Sequence, residues 1–229
     1  MFRYYFGSKT RLAATYQAPR HDVIVEPFAG AAAYSVFWLR ERRDLRAVLI
    51  DSDWLVVDMW ERLLAMSPAD LWNYPLPIQG ERVTDPLYLC GAVSSGSWGA
   101  CHAGRSYQIT EMMAGAFPAT RQIMAETLSL IKGRVEVTRG DYRVAPMNPA
   151  TWFIDPPYQS DGEWYASGND LDFGGLGEWV QGLPGQVIVC ESQGADWLPF
   201  DPHRITNTIR NTESVEVVWY SDPEPTLFT

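Results

Sequence analysis

The sequence has few of the residues that mark secreted, metal-binding or membrane-spanning proteins. Its three cysteines, Cys90, Cys101 and Cys190, have no metal-ligand spacing, and Cys101 with His102 would supply only two ligands. An odd number of thiols favours reduced cysteines in a cytoplasm. No apolar run approaches the ~20 residues that span a bilayer, and the first ten residues lack a secretory apolar core. We therefore expect a cytoplasmic protein without a metal centre.

Positive charge is also scarce. The net charge is −10, and the chain contains only two lysines. Residues 1–46 carry eight Arg or Lys against four Asp or Glu, residues 47–140 carry seven against ten, and residues 141–229 carry three against fourteen. Phosphate contacts dominate nucleic-acid affinity, so this balance argues against tight non-specific DNA binding. The same charge distribution is compatible with a local basic face formed by residues in the first two thirds of the chain, which could contact DNA.

Alternating strand and helix patterns predict an α/β fold. Apolar runs at 23–25 and 46–50 read as buried strands, and each is followed by a helical pattern, over 31–42 and 54–66. Such alternation predicts a parallel sheet with right-handed crossovers. Three further strand patterns follow residue 134, and the chain closes with an antiparallel hairpin around Asn211.

The middle of the chain breaks this alternation. Prolines recur over 67–86, and residues 92–106 are rich in Gly and Ser. A helical pattern over 107–133 is expected to be interrupted or kinked at Pro118 and to stop near Gly133. We predict a doubly wound, mostly parallel sheet formed by residues 1–66 and 135–229, with residues 67–134 as an inserted helical and loop region.

Each of four predicted strands ends in an acidic residue: Glu26, Asp51, Asp141 and Asp155. A single acid at a strand end usually caps the next helix. In open parallel sheets, however, ligands bind beyond the carboxyl ends of the strands. Four acids at one edge therefore predict a cleft lined with carboxylates.

The sequence lacks both common phosphate-binding glycine motifs, G-x-G-x-x-G and the P-loop. Gly30 permits close backbone approach to a ligand, or serves as an ordinary turn glycine. Asp51 follows the second strand, where such sheets hydrogen-bond a ribose diol. Together these features favour a nucleoside-bearing cofactor without a pyrophosphate, and S-adenosylmethionine (SAM) fits better than NAD or ATP.

Five short segments, in order, resemble the Dam-like (D12 class) DNA adenine-N6 methyltransferases: "YFGSK", "VEPFAGAA", "LIDSD", "RGDY" and "FIDPPY". The resemblance covers residues 4–66 and 134–158. D-P-P-Y alone is less specific, since related tetrapeptides occur in cytosine-N4 and glutamine methyltransferases. The resemblance implies a class I SAM-dependent methyltransferase (Rossmann-like) fold, SAM as cofactor, base flipping, and target recognition within the inserted region.

The resemblance also assigns cofactor contacts. Lys9 suits the methionine carboxylate, Asp51 the ribose, and Asp141 with Tyr142 the adenine ring. The full set of cofactor-binding residues is Tyr5, Gly7, Ser8, Lys9, Glu26, Phe28, Gly30, Asp51, Asp141, Tyr142 and Asp155. The family often has a second glycine in its cofactor loop, where this chain has Ala32.

The catalytic residues implied by the resemblance are Asp155, Pro156, Pro157 and Tyr158. Adenine N6 is a poor nucleophile because its lone pair is delocalised into the ring. Asp155 and the Pro156 carbonyl can accept its two N–H groups and localise that lone pair for in-line attack. Pro157 has no N–H to compete, and Tyr158 can stack on a base that has left the helix.

Substrate contacts outside this motif are less specific. Trp164 and Tyr165 are stacking or wedge residues for the extruded base, or simply anchors of their own loop. Candidate phosphate contacts, for which solvated surface is the ordinary alternative, are Arg105, Arg121, Lys132, Arg134 and Arg139.

These features favour a site-specific adenine-N6 DNA methyltransferase. The small size resembles phage or mobile-element enzymes, and the lack of a nuclease domain favours an orphan modification enzyme. Two alternatives stay open: methylation of RNA or of cytosine N4, and a weakly active SAM-binding subunit that needs a basic partner to find DNA.

Overall fold

The computed structural model describes residues 9, 12–88, 107–159, 171–207 and 213–222. The predicted site residues that lie outside this part of the chain are Tyr5, Gly7, Ser8, Arg105, Trp164 and Tyr165. The described strands are β1 (Val23–Glu26), β2 (Arg46–Asp51), β3 (Arg82–Val83), β4 (Tyr107–Gln108), β5 (Val135–Arg139), β6 (Ala150–Ile154), β7 (Gly185–Ser192), β8 (Asp201–Asn207) and β9 (Glu213–Tyr220). The α-helices are α1 (Ala33–Glu41), α2 (Trp54–Ala65), α3 (Pro68–Trp72), α4 (Glu111–Ile131) and α5 (Phe173–Gln181).

Seven strands form one sheet in the order β5-β2-β1-β6-β7-β9-β8. The first five are parallel neighbours, whereas β9 pairs antiparallel with both β7 and β8. This order, with one antiparallel strand between the last two parallel ones, is that of the class I SAM-dependent methyltransferase fold. The predicted fold class, including the C-terminal antiparallel hairpin, is confirmed.

Both faces of the sheet are covered by helices, and successive strand residues point to opposite faces. On β6, Phe153 packs with residues of α1, α2 and α4, whereas Trp152 and Ile154 pack with α5. The second half of the predicted insertion, α4, therefore contributes to the same core as α1 and α2.

Two helices differ from the sequence prediction. Helix α4 continues through Pro118 without interruption. Its buried residues before and after the proline, Phe117 and Met124, hold it in the core, and this packing compensates for one missing backbone hydrogen bond. Helix α5 was not predicted, because three glycines in its nine residues lower its helix propensity.

The turn into α1 contains a strained residue. Ala32, the N-cap of this helix, has φ 45° and ψ 46°, and among the described non-glycine residues it alone has a positive φ. The left-handed conformation costs an L-residue roughly 1–2 kcal/mol. The structure thus shows a glycine-favouring backbone at the position where the family resemblance leads one to expect glycine.

Ala32→Gly is expected to raise the free energy of unfolding by about 0.5–1 kcal/mol, because the relief of strain exceeds the added entropy of the unfolded chain. Ala119→Gly, an exposed helical site of α4, is the control and should lose about 1 kcal/mol. Urea unfolding of both variants measures the difference, and equal losses would contradict the strain argument.

Candidate active site

The site lies where the strand order reverses. From β1 the chain builds the sheet outward through β2 and β5, and then returns to place β6 on the other side of β1. Ligands of doubly wound sheets bind at such a switch point, beyond the carboxyl ends of the two central strands. Glu26 ends β1 and Asp155 directly follows β6, so both acids border this crevice.

The loop after β1 is tied to the end of β2. The Gly30 N–H donates to Asp51 Oδ2 and the Asp53 N–H donates to Asp51 Oδ1, both over 2.9 Å. Trp60 Nε1 donates to the Gly30 carbonyl over 2.9 Å, and Gly30 has φ 44°, a left-handed value that suits glycine. Burial raises the pKa of Asp51 to about 6, against the effect of these N–H groups. Each carboxylate oxygen keeps a lone pair that can accept a further hydrogen bond.

Glu26 connects β1 to α1. Its side chain is 2% exposed and accepts a hydrogen bond of 2.6 Å from the Ser35 N–H in the first turn of the helix. Burial raises the pKa of Glu26 to about 8, although the contact with Ser35 opposes the shift. Glu26 is therefore mostly protonated at neutral pH. It anchors the first turn of α1, the helix that follows the loop after β1.

This shift predicts a pH-dependent stability. The folded pKa of Glu26, about 8, lies above its unfolded value. Its stabilisation is thus complete below the unfolded pKa of about 4.3 and is lost as pH rises to about 8. Glu26→Gln keeps the acceptor for Ser35 but cannot ionise. We expect the two proteins to be similar at low pH and the variant to be more stable, on the order of 3 kcal/mol, above pH ~8.

Chemical denaturation of wild type and Glu26→Gln across this pH range provides the measurement, with the exposed Glu178→Gln as control. Parallel stability curves for wild type and Glu26→Gln would show that Glu26 has the same pKa in the folded and unfolded protein, and would contradict the raised pKa.

Lys9 and the D-P-P-Y motif form one buried cluster. The Lys9 side chain is 4% exposed, and its Nζ lies 2.8 Å from Asp155 Oδ1. Nζ also donates to the Tyr158 hydroxyl and lies 4.7 Å from the centroid of that ring. The lysine thus fixes both the carboxylate and the aromatic ring that were predicted to hold the target base.

Electrostatics couples these groups. Burial alone lowers the pKa of Lys9, but Asp155, Tyr158 and Glu216 outweigh it and raise that pKa well above the ordinary value. Burial raises the pKa of Asp155, and the Lys9 ammonium opposes this shift. Lys9 therefore favours the ionised form of Asp155, which is the form that accepts hydrogen bonds.

Sequence reasoning missed two residues of this cluster, Glu216 and Tyr16. Glu216 on β9 lies 3.7 Å from Lys9 Nζ through its Oε2, and its Oε1 accepts a hydrogen bond from the Tyr16 hydroxyl. Burial raises the pKa of Glu216, and Lys9 opposes the shift. The available signal, an acid within the apolar run of β9, is indistinguishable from ordinary strand alternation.

The residue after the motif is held by another buried acid. Glu191, at the end of β7, is fully buried and accepts hydrogen bonds from the N–H groups of Gln159 and Ser192, over 2.7 and 2.6 Å, and from Trp197 Nε1 over 3.3 Å. These donors satisfy a carboxylate that would otherwise be costly to bury. Glu191 thereby orders the chain directly after Tyr158, and sequence reasoning missed it.

The predicted adenine-binding residues lie at the tip of β5. Asp141 is half-exposed and accepts from the Arg143 N–H over 3.0 Å, as a helix cap does. The Tyr142 ring is buried and packs against Phe28, at a centroid distance of 5.7 Å, and edge-on against Trp179 at 4.8 Å. Phe28 and Tyr142 therefore join the cofactor loop to the tip of β5, whereas a contact of either with cofactor stays a prediction.

Three of the candidate phosphate contacts are engaged within the chain. Both terminal nitrogens of Arg134 donate to backbone carbonyls, those of Leu39, Arg42, Leu45 and Leu130. Arg121 Nη1 donates to the Tyr74 carbonyl over 2.5 Å, and Lys132 Nζ donates to the Met66 carbonyl. These geometries give the three side chains structural roles, while a phosphate contact of any of them stays a prediction. Arg139, at the end of β5, is exposed.

The described residues contain neither a metal-ligand cluster nor a membrane-spanning helix. No group of three or more His, Cys, Asp or Glu among them could hold a metal ion. No described helix is long and apolar enough to cross a membrane.

Comparison with known proteins adds little to this geometry. No protein-family model matches the chain, and no curated protein matches it. A crystal structure of the antibiotic-resistance methyltransferase Kmr is similar with a TM-score of 0.39 and 10% identity, over 92% of each chain. At such identity, similarity in fold does not determine a shared substrate.

Proposed function

We propose that the protein transfers a methyl group from SAM to the exocyclic N6 amine of a flipped adenine in DNA. The observation that carries this proposal is the Asp155 carboxylate, held by Lys9 at the carboxyl end of β6. It stands at the switch point of the sheet, beside the crevice that the Gly30–Asp51 contact borders. Strongly coupled, buried titratable groups in such a crevice are typical of catalytic sites.

The charges of the cluster suit the proposed cofactor. Lys9, Asp155 and Glu216 together contain one more carboxylate than ammonium, and they are largely buried. A sulfonium cation would offset that excess. Asp51 can accept hydrogen bonds from a ribose diol, and Gly30 has no side chain to block approach. SAM, when bound, supplies an electrophilic methyl group.

The motif suits an exocyclic amine. Asp155 Oδ1 is paired with Lys9, so Oδ2 is the oxygen to accept one N6–H, and the Pro156 carbonyl can accept the other. Pro157 contributes no competing donor. Lys9 holds the Tyr158 hydroxyl and thereby orients its ring for stacking on the extruded base. A cytosine N4 amine, or an amine in RNA, presents the same two N–H groups.

One observation favours a second candidate, a SAM-binding subunit that needs a basic partner. Arg121, Lys132 and Arg134 donate to backbone carbonyls of the chain itself, and the net charge is −10. A phosphate backbone would find these three cations already engaged by the protein's own backbone. A partner could supply them while Asp155 and Lys9 perform the transfer.

Expression in a host without adenine methylation tests the proposal. Sequencing of the host DNA should reveal N6-methyladenine at one recurring sequence, and the Asp155→Asn variant should leave none. Methylated cytosine, or methylation restricted to RNA, would reject adenine in DNA as the substrate. If methylation requires a second, basic protein, the partner hypothesis is supported instead.

A further inference from the structure

We propose that Glu216 is a positioning residue that holds the Lys9 ammonium against Asp155. This rests on the proposed function for the role of Asp155 but not for the ion pairs themselves. Glu216 belongs to β9, the antiparallel strand, and contacts the site from beyond β7. None of the motifs that resemble the methyltransferase family includes it.

The geometry places Lys9 between two carboxylates from different strands. Its Nζ is 2.8 Å from Asp155 Oδ1 and 3.7 Å from Glu216 Oε2. The second carboxylate is itself fixed, because the Tyr16 hydroxyl donates to its other oxygen. Tyr16 is buried and packs edge-on against Phe153 of β6, with ring centroids 5.1 Å apart. Through Tyr16, Glu216 is thus fixed relative to β6, the strand that leads into Asp155.

A second carboxylate is needed because a buried ammonium is costly. Without Glu216, Lys9 would keep more of its desolvation penalty and could leave Asp155 for water or for an incoming anion. Asp155 would then lose the cation that favours its ionised form. Among the described residues, the groups that face Lys9 are Asp155 and Tyr158 after β6, Cys190 on β7 and Glu216. Glu26 of β1 acts in turn on Asp155 and Cys190. Of the carboxylates among these groups, Glu216 is the one that lies outside the sequence motifs.

Glu216→Gln tests the proposal kinetically, because it keeps the shape and the acceptor for Tyr16. We expect kcat for methyl transfer to fall about tenfold or more while KM for SAM changes much less. The alkaline limb of the pH profile should move to lower pH, because removal of a carboxylate lowers the pKa of the neighbouring ammonium. Glu216→Asp should restore part of kcat, and the exposed Glu136→Gln on β5 should behave as wild type. Wild-type kcat and an unshifted limb in Glu216→Gln would overturn the proposal.

Nuclear magnetic resonance separates this proposal from the proposed function. The chain has only two lysines, Lys9 and Lys132, so protein labelled with carbon-13 lysine gives two Cε signals, which Lys132→Arg assigns. The wild-type Lys9 signal should remain at its protonated position beyond the ordinary lysine pKa of about 10.4. In Glu216→Gln it should titrate at lower pH, with Lys132 as the internal reference.

Superimposable Lys9 titrations in the two proteins would overturn the positioning role, whether or not the enzyme turns over. A shifted titration in a protein that transfers no methyl group would instead reject the proposed function and leave the ion pairs established. Thermal unfolding of Glu216→Gln and Glu216→Asp confirms that each titration reports on folded protein.

Discussion

Asp155→Asn is expected to reduce methyl transfer by about a thousandfold or more while SAM binding largely survives. Asparagine keeps the size of the side chain, but it replaces an acceptor with a neutral amide and removes the charge opposite Lys9. The substrate amine would lose the acceptor that localises its lone pair, a contribution of about 10²–10³ for one group aimed at developing charge. Loss of alignment with Tyr158 adds to this, because Lys9 would turn towards Glu216.

Single-turnover methyl transfer and SAM binding by calorimetry, measured on the same preparation, test this expectation. Asp196→Asn is the matched control, because the hydrogen bonds of Asp196 among the described residues are to Gln159, which follows the motif. Near-normal turnover in Asp155→Asn would refute the acceptor role. Loss of SAM binding equal to the loss of turnover would assign Asp155 to the cofactor alone.

Lys9→Met is expected to lower kcat about a hundredfold and to destabilise the fold by roughly 3 kcal/mol at neutral pH. The variant buries Asp155 and Glu216 without their shared cation. Without that cation, the raising effect of burial on the pKa of both carboxyls loses its main opposing charge. A folded pKa above the unfolded value means that stability is lost as pH rises, so the destabilisation should grow as pH rises above the unfolded carboxyl pKa of about 4.

Lys132→Met, which alters the chain's other lysine, is the control for this experiment. Urea unfolding and kcat at several pH values provide the readout. If Lys9 instead serves chiefly the cofactor carboxylate, as the family resemblance implies, SAM affinity will fall as much as kcat. A Lys9→Met protein with wild-type stability at every pH would contradict the buried ion-pair cluster.

The parallel sheet and its C-terminal hairpin could be predicted because their signals are local. Apolar runs such as 23–25 and 46–50 end in acids and lead into helices, and right-handed crossovers leave few topologies. The structure accordingly brings Glu26 and Asp155 to the two sides of the switch point. Helix α5 could not be predicted, because its glycines lower the helix propensity of the segment. One of them, Gly177, lies where Trp197 approaches closely: a β-carbon at Gly177 would lie 3.1 Å from the Trp197 carbonyl oxygen.

The rest of the site depends on contacts between distant parts of the chain. Tyr16 and Glu216 are 200 residues apart, and Lys9 and Tyr158 are 149 apart, so no window of sequence holds both partners. The same holds for Arg134, which looks like a solvated cation in sequence but donates to carbonyls at the ends of α1 and α4. Whether a charge faces solvent, substrate or backbone is decided by packing, which local patterns do not encode.

The most direct test of the proposed chemistry is the identity of the methylated nucleoside. Purified protein is incubated with methyl-labelled SAM and double-stranded DNA, the DNA is digested to nucleosides, and the labelled nucleoside is identified by mass spectrometry. The proposal predicts label in N6-methyladenine with wild type and none with Asp155→Asn. Label in N4-methylcytosine, or label in RNA alone when RNA is supplied, would contradict it.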